Sequence, residues 1–97
     1  MEIRIQSVKF DADHKLIEFI ENKVSKLDRF TDDITAVEVT LKLDKNNEAG
    51  NKIATIKVMI TGNDAIADRK AKSFEEAVDQ CIDALKKQLE KHKDKLK

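Results

Sequence analysis

Over residues 3 to 8 apolar and polar positions alternate, Ile3 and Ile5 against Arg4 and Gln6, the period of a strand with one buried face. The spacing then changes. Leu16, Ile17, Ile20, Val24 and Leu27 recur at helical intervals, and Asp11 or Asp13 stands where a carboxylate can accept from the helix's first unpaired amides. Thr31, Asp32 and Asp33 break this helix. Alternation returns with Val37, Val39, Leu41 and Leu43 on one side and Glu38, Thr40 and Lys42 on the other, a strand with one wet face. The polar stretch from Asp44 to Asn51, with Asn46, Asn47 and Gly50, predicts a hairpin loop, and a third strand follows with Ile56, Val58 and Ile60 inward. A turn over Thr61, Gly62, Asn63 and Asp64 leads to a fourth strand, Ala65 to Ala71, whose small residues suit close approach of a helix. Ser73 with Glu76 has the form of a capping box. It opens a final helix whose apolar stripe runs through Phe74, Ala77, Val78, Cys81, Ile82, Leu85, Leu89 and Leu96.

The predicted order is β-α-β-β-β-α, an α+β fold in one domain spanning residues 1 to 97. Each strand has a single apolar face, so both helices belong on the same side of one four-stranded sheet, with the other side in water. The helix between the first two strands is a crossover, which makes those strands parallel and the remaining pairs antiparallel, a mixed sheet. Both helices follow strands of the same direction, so they are expected to run parallel to each other.

Composition narrows the chemistry. The start, MEIRIQSVKF, alternates and carries charge, which fits neither a secretory signal nor a membrane span, so a cytoplasmic protein is expected. Cys81 is the only cysteine and falls among apolar helical positions, reading as a small buried hydrophobe. One cysteine with two distant histidines, His14 and His92, makes no zinc set. No nucleophile, base and orienting group occur together and no glycine-rich phosphate loop is present, so neither an enzyme nor a cofactor is expected. His92, on the apolar stripe near the chain's end, reads as a packing residue.

Charge changes the picture. Residues 86 to 97, KKQLEKHKDKLK, hold six lysines against Glu90 and Asp94, a balance of +4 in a chain with 19 basic and 19 acidic residues. At about 100° per residue, Lys87, Lys91 and Lys95 share one shoulder of the last helix, and Lys86, Lys93 and Lys97 the other. The acids Glu76, Asp79, Asp83, Glu90 and Asp94 take the middle of its solvent face. In the first helix Lys15, Lys26 and Arg29 occupy a shoulder, with Lys23 nearer the core edge and Glu21 and Asp28 opposite. Sign is thus expected to be sorted by side.

Two readings of this pattern stand. Lysines near a helix C-terminus interact favourably with its dipole, and Asp83 with Lys87 or Lys86 with Glu90 can pair at i,i+4. Against that, Lys87 with Lys91 and Lys91 with Lys95 are like charges at the same spacing, a pattern that suits a polyanionic partner better than it suits helix stability. There is no tyrosine or tryptophan, and the open sheet face offers Arg4, Gln6, Glu38, Thr40, Lys42, Thr55 and Lys57, so bases find no stacking platform. Contacts are therefore expected from lysine and arginine to phosphate, read by shape. Membrane binding is disfavoured because neither helix has an apolar face to spare for lipid. The parallel helices should leave a groove between them, with one basic stripe along one wall and Lys86 and Lys93 helping to form the other.

The endings QLEKHKDKLK and AVDQCIDALKKQL, with NKVSKLDRF at the close of the first helix and VTLKLDKN in the second strand, give the chain a resemblance. Over nearly its full length it resembles the short hibernation-promoting factor and ribosome-associated inhibitor A family of bacterial ribosome-binding proteins. The resemblance implies a domain that occupies the decoding region of the small ribosomal subunit, contacts ribosomal RNA where messenger and transfer RNA would lie, and stops translation in idle, stationary-phase ribosomes. Carried over by position, the family's basic residues match Lys23, Lys26, Lys87, Lys91 and Lys95, with Arg29 and Lys93 as additions. Ala84 stands where the family commonly has lysine, and Arg69, Lys70 and Lys72 are candidates to compensate for it. Neither the second domain of the long form nor an acidic tail is expected, since the sequence runs to Lys97 with neither. It therefore looks like the short promoting form, a monomer when free, with a separate ribosome-dimerising factor as a further expected partner. A module for structured RNA other than the ribosome is the alternative.

Overall fold

The computed structural model describes residues 1–30, 33–44 and 50–95, with side chains described as far as Lys91 in the last helix. Its elements follow the expected order: β1 (Glu2–Ser7), α1 (His14–Ser25), a 3-10 turn (Lys26–Arg29), β2 (Ile34–Leu43), β3 (Lys52–Ile60), β4 (Ala65–Ala71) and α2 (Phe74–Lys95). The four strands form one sheet in the order β1-β2-β3-β4. β1 lies parallel to β2, with Ile3 opposite Val37 and Ile5 opposite Val39, and the other two pairs are antiparallel. β1, β2 and β4 therefore point the same way. The helices that follow β1 and β4 return along one face, parallel to each other.

The helix starts are fixed by side-chain caps. Asp13 Oδ1 accepts from the Leu16 amide at 2.8 Å, and Ser73 Oγ accepts from the Glu76 amide at 3.1 Å. Such a cap is worth about 1 kcal/mol because it satisfies an amide the helix cannot. The β3–β4 turn closes with the Asn63 amide donating to the Ile60 carbonyl at 3.2 Å, and Gly62 adopts φ 88°, which a side chain would oppose.

The core lies between the sheet and the helices. Val37, Val39 and Leu41 of β2 and Ala54, Ile56 and Val58 of β3 are fully enclosed by Ile20, Val24 and Leu27 on one side and Val78, Cys81, Leu85 and Leu89 on the other. Burying each large apolar side chain here contributes roughly 1.5–3 kcal/mol. The alanines of β4, Ala65, Ala67 and Ala71, let α2 sit close to the edge strand. At that contact the Cys81 thiol donates to the Ala54 carbonyl, with Sγ to O 3.3 Å, and lies 3.7 Å from the Ala67 carbonyl.

Two expectations fail locally. Leu43 keeps the inward register of β2 but is 45 % exposed, because it sits opposite Lys52 at the end of the sheet, past the reach of the helices. The first helix stops at Ser25 and tightens into the 3-10 turn, so Lys26 and Arg29 do not continue the α-helical shoulder. The break at Thr31 and Asp32, the tip of the β2–β3 loop and Leu96 lie outside the described residues. No helix among the described residues is long and apolar enough to cross a membrane.

Candidate nucleic-acid interface

Parallel helices of unequal length leave a groove where α1 gives way to the 3-10 turn. Its lining is Lys23 and Lys26 on one wall, Asp79, Asp83 and Lys86 on the other, and Ile82 beneath, around a cavity of about 280 Å³. Three residues expected to contact RNA are thus brought together from elements distant in sequence. Lys86 forms the second wall as expected; Lys93 lies outside the described side chains.

The expected sorting of sign by side does not hold in this groove. Asp79 and Asp83 turn toward α1 and share a wall with Lys86, and Lys23 Nζ lies 3.4 Å from Asp79 Oδ1. The reason is rotational: the groove spans both the α2 shoulder and part of its crest, so acids placed on the crest by helical phase also face α1. Lys23 is further held over the Phe19 ring, 5.5 Å from its centroid. Neither Asp83 with Lys87 nor Lys86 with Glu90 closes an ion pair, which removes the local pairing that helix stability alone would favour. Among the described residues Lys26, Arg29, Lys86, Lys87 and Lys91 have no carboxylate partner.

The other shoulder of α2 faces the edge strand. Gln88 Nε2 donates to the Ile66 carbonyl of β4 at 3.0 Å, which places the β4 flank, and exposed Lys87 and Lys91 lie along that side, outside the groove. Lys95 belongs to the same row by helical phase; its side chain is outside the described residues. Arg69 stands on the helix side of β4, near enough to Cys81 to act on its thiol electrostatically. That thiol is nonetheless pushed up to about 11, chiefly by burial. Ala84 lies between Cys81 and Lys87 on the same flank by helical phase, the side on which Arg69 stands. Lys70 does not: it projects from the opposite sheet face, where its Nζ bonds Asp44 Oδ2.

That opposite face carries cations of a different kind. Arg4 is held by Glu2 at 3.1 Å and by Glu38 at 3.6 Å, and Lys57 by Asp64 at 3.6 Å. The Glu2 carboxyl is held below its usual range by its hydrogen bond from Arg4. Lys42 alone among the basic side chains there has no carboxylate partner in the described residues. Phe10 stacks on Phe74 with ring centroids 5.1 Å apart, so both rings are used in packing.

Residues 3–97 match the family model described as Sigma 54 modulation protein / S30EA ribosomal protein. The chain belongs to this family. Within the S30EA family, the ribosome hibernation promoting factor of Escherichia coli (strain K12) is 35 % identical over 97 residues, an alignment covering 100 % of this chain and 98 % of that protein. Among solved structures, a ribosomal subunit interface protein from Coxiella burnetii superposes with a TM-score of 0.85 at 24 % identity, covering 96 % of this chain and 98 % of its own. The Thermus thermophilus Protein Y N-terminal domain superposes with a TM-score of 0.82 at 22 % identity, over 95 % of this chain and 99 % of that domain. At those identities the structural likeness speaks for the fold alone.

Proposed function

We propose that this protein is a ribosome-associated hibernation factor that binds the small subunit at its decoding region and silences translation there. The helix face meets ribosomal RNA through Lys26 and Lys86 at the groove, next to the Lys23–Asp79 pair, and through Lys87, Lys91 and Lys95 on the outer flank of α2. Arg69 extends that outer row past Ala84. The contacts go to phosphate, positioned by the shape of the folded RNA, and occupancy of the site excludes messenger and transfer RNA. A separate ribosome-dimerising factor is a further partner in this reading.

The observation that carries the proposal is the set of lysines left without carboxylate partners on the helix face of an S30EA-family fold. Exposed cations that a protein does not neutralise itself are available to displace counterions from RNA phosphates, which gives binding a steep salt dependence. Cosedimentation with purified small subunits across a salt series tests it. Changing Lys87, Lys91 and Lys95 together to glutamate should abolish pelleting while the circular dichroism spectrum and melting temperature stay near those of the unchanged protein. Undiminished pelleting would remove the outer flank from the interface, and naked RNA binding as tight as subunit binding would favour a general RNA-binding module instead.

A further inference from the structure

The groove contains two residues that a phosphate trap should not have. Asp79 and Asp83 stand one helical turn apart on the α2 wall, like charges whose mutual repulsion disfavours the helix. Both are exposed; Asp79 pairs with Lys23, but Asp83 has no ion-pair partner among the described residues, so ion pairing does not account for Asp83. Asp79 occupies the Nζ of Lys23, which reduces the cations ready for a ligand at this level of the groove to Lys26 and Lys86.

The carboxylates continue toward the helix starts. A helix N-terminus ordinarily attracts anions. Here Asp13 caps α1, and Glu75 and Glu76 fill the first turn of α2. The cleft between the two starts is rimmed by Asp11, Asp13 and Glu75 against a single cation, Lys15. Along the direction of the helices the lining therefore runs from mostly carboxylates at the helix starts, through the Lys23–Asp79 pair, to Lys26 and Lys86.

We propose that Asp79 and Asp83 are specificity-determining residues that keep phosphate out of the N-terminal half of the groove and confine contact to its Lys26–Lys86 end. A flexible polyanion laid along the groove must pass over both carboxylates. A folded RNA whose backbone crosses the helix face at one place meets only the lysines. Selection is then made by repulsion as much as by attraction, and it favours rigid, shaped RNA over unstructured strands. This inference rests on the reading of the helix face as a phosphate-binding surface.

The experiment compares the unchanged protein with Asp79→Asn/Asp83→Asn and Asp79→Glu/Asp83→Glu, measuring affinity for polyuridylate and for purified small subunits over a salt series. The asparagine pair should bind polyuridylate roughly tenfold more tightly at low salt, with the salt slope steeper by about 0.7 for each phosphate newly contacted. Its affinity for small subunits should change much less, so the ratio between the two falls. The glutamate pair keeps the charge and should keep the ratio, an outcome that a merely structural role for these side chains would not produce. The inference is overturned if the asparagine pair leaves polyuridylate affinity and slope unchanged, or strengthens both ligands equally. Failure of the unchanged protein to bind small subunits would remove the ribosomal proposal instead, and the polyuridylate arm would still decide whether the carboxylates exclude phosphate.

Discussion

The two faces of the sheet carry similar residue types and use them differently. On the open face Arg4, Lys57 and Lys70 each meet a carboxylate, from Glu2 and Glu38, from Asp64 and from Asp44. On the helix face Lys26, Lys86, Lys87 and Lys91 meet none among the described residues, and Lys23 is the exception. Exposed ion pairs contribute little to stability, about 0–1 kcal/mol each, so the pairing on the open face is better understood as local neutralisation. In the proposed reading, what separates the helix face from the open face, where Lys42 is the basic side chain left unanswered among the described residues, is the fraction of cations without a carboxylate. Counting basic residues would not have distinguished them.

The largest expected effect breaks that comparison directly. Reversing Lys26 and Lys86 to glutamate should weaken small-subunit binding on the order of a hundredfold at moderate salt, since each reversal removes a phosphate contact and adds a repulsion. Reversing Arg4 and Lys57 on the open face changes the net charge by the same amount and should leave affinity within about twofold, because those cations are already neutralised. Equal losses in the two variants would mean that total charge governs association and that neither face is a defined interface.

Much of this architecture is legible in the chain because the local signals agree with one another. Ile3 and Ile5, the Val37 to Leu41 alternation, the Ser73 cap and the alanines of β4 each point to the element that forms. Leu43 misleads because alternation reports a side chain's direction and says nothing of how far the covering helices reach. The basic residues of the site are likewise visible, but their grouping is not. No local pattern announces that Lys23 meets Asp79, since that contact depends on the phase and spacing of two helices joined by three strands. The separation of Arg69 from Lys70 is different. A strand's period of two already places neighbours on opposite faces, so once β4 is recognised the two cannot serve one surface.

That separation gives a sharper, smaller test of the same comparison, made within two adjacent residues. Arg69→Glu alters the helix side of β4, on the flank of Ala84, and should weaken small-subunit binding by roughly three- to tenfold, the loss of about one phosphate contact. Lys70→Glu alters the open face, where it opposes Asp44, and should cost some local stability with little change in affinity. Cosedimentation and thermal melting of both variants separate the outcomes. A loss of affinity in Lys70→Glu matching that in Arg69→Glu would show that the sheet does not divide the surface as argued.

The smallest effect concerns the layer that holds the faces apart. Cys81 lies between α2 and the sheet, its thiol directed at carbonyls of β3 and β4 and its pKa raised from 9.0 to about 11, chiefly by burial. Between those values the folded protein keeps a proton that the unfolded chain releases. Unfolding then becomes more favourable as pH rises, so the contribution is fully present below about pH 9 and is lost toward pH 11. Denaturant melts of the unchanged protein and of Cys81→Ala across this window isolate the thiol from every group the two proteins share. The alanine variant should be less stable at pH 8 and close part of that gap by pH 11, while the thiol of the unchanged protein should react with a disulfide reagent far more slowly folded than unfolded. A stability gap that stays constant through the window, with rapid labelling of the folded protein, would mean that water reaches the contact between α2 and β4 and that the helix face is looser than its packing implies.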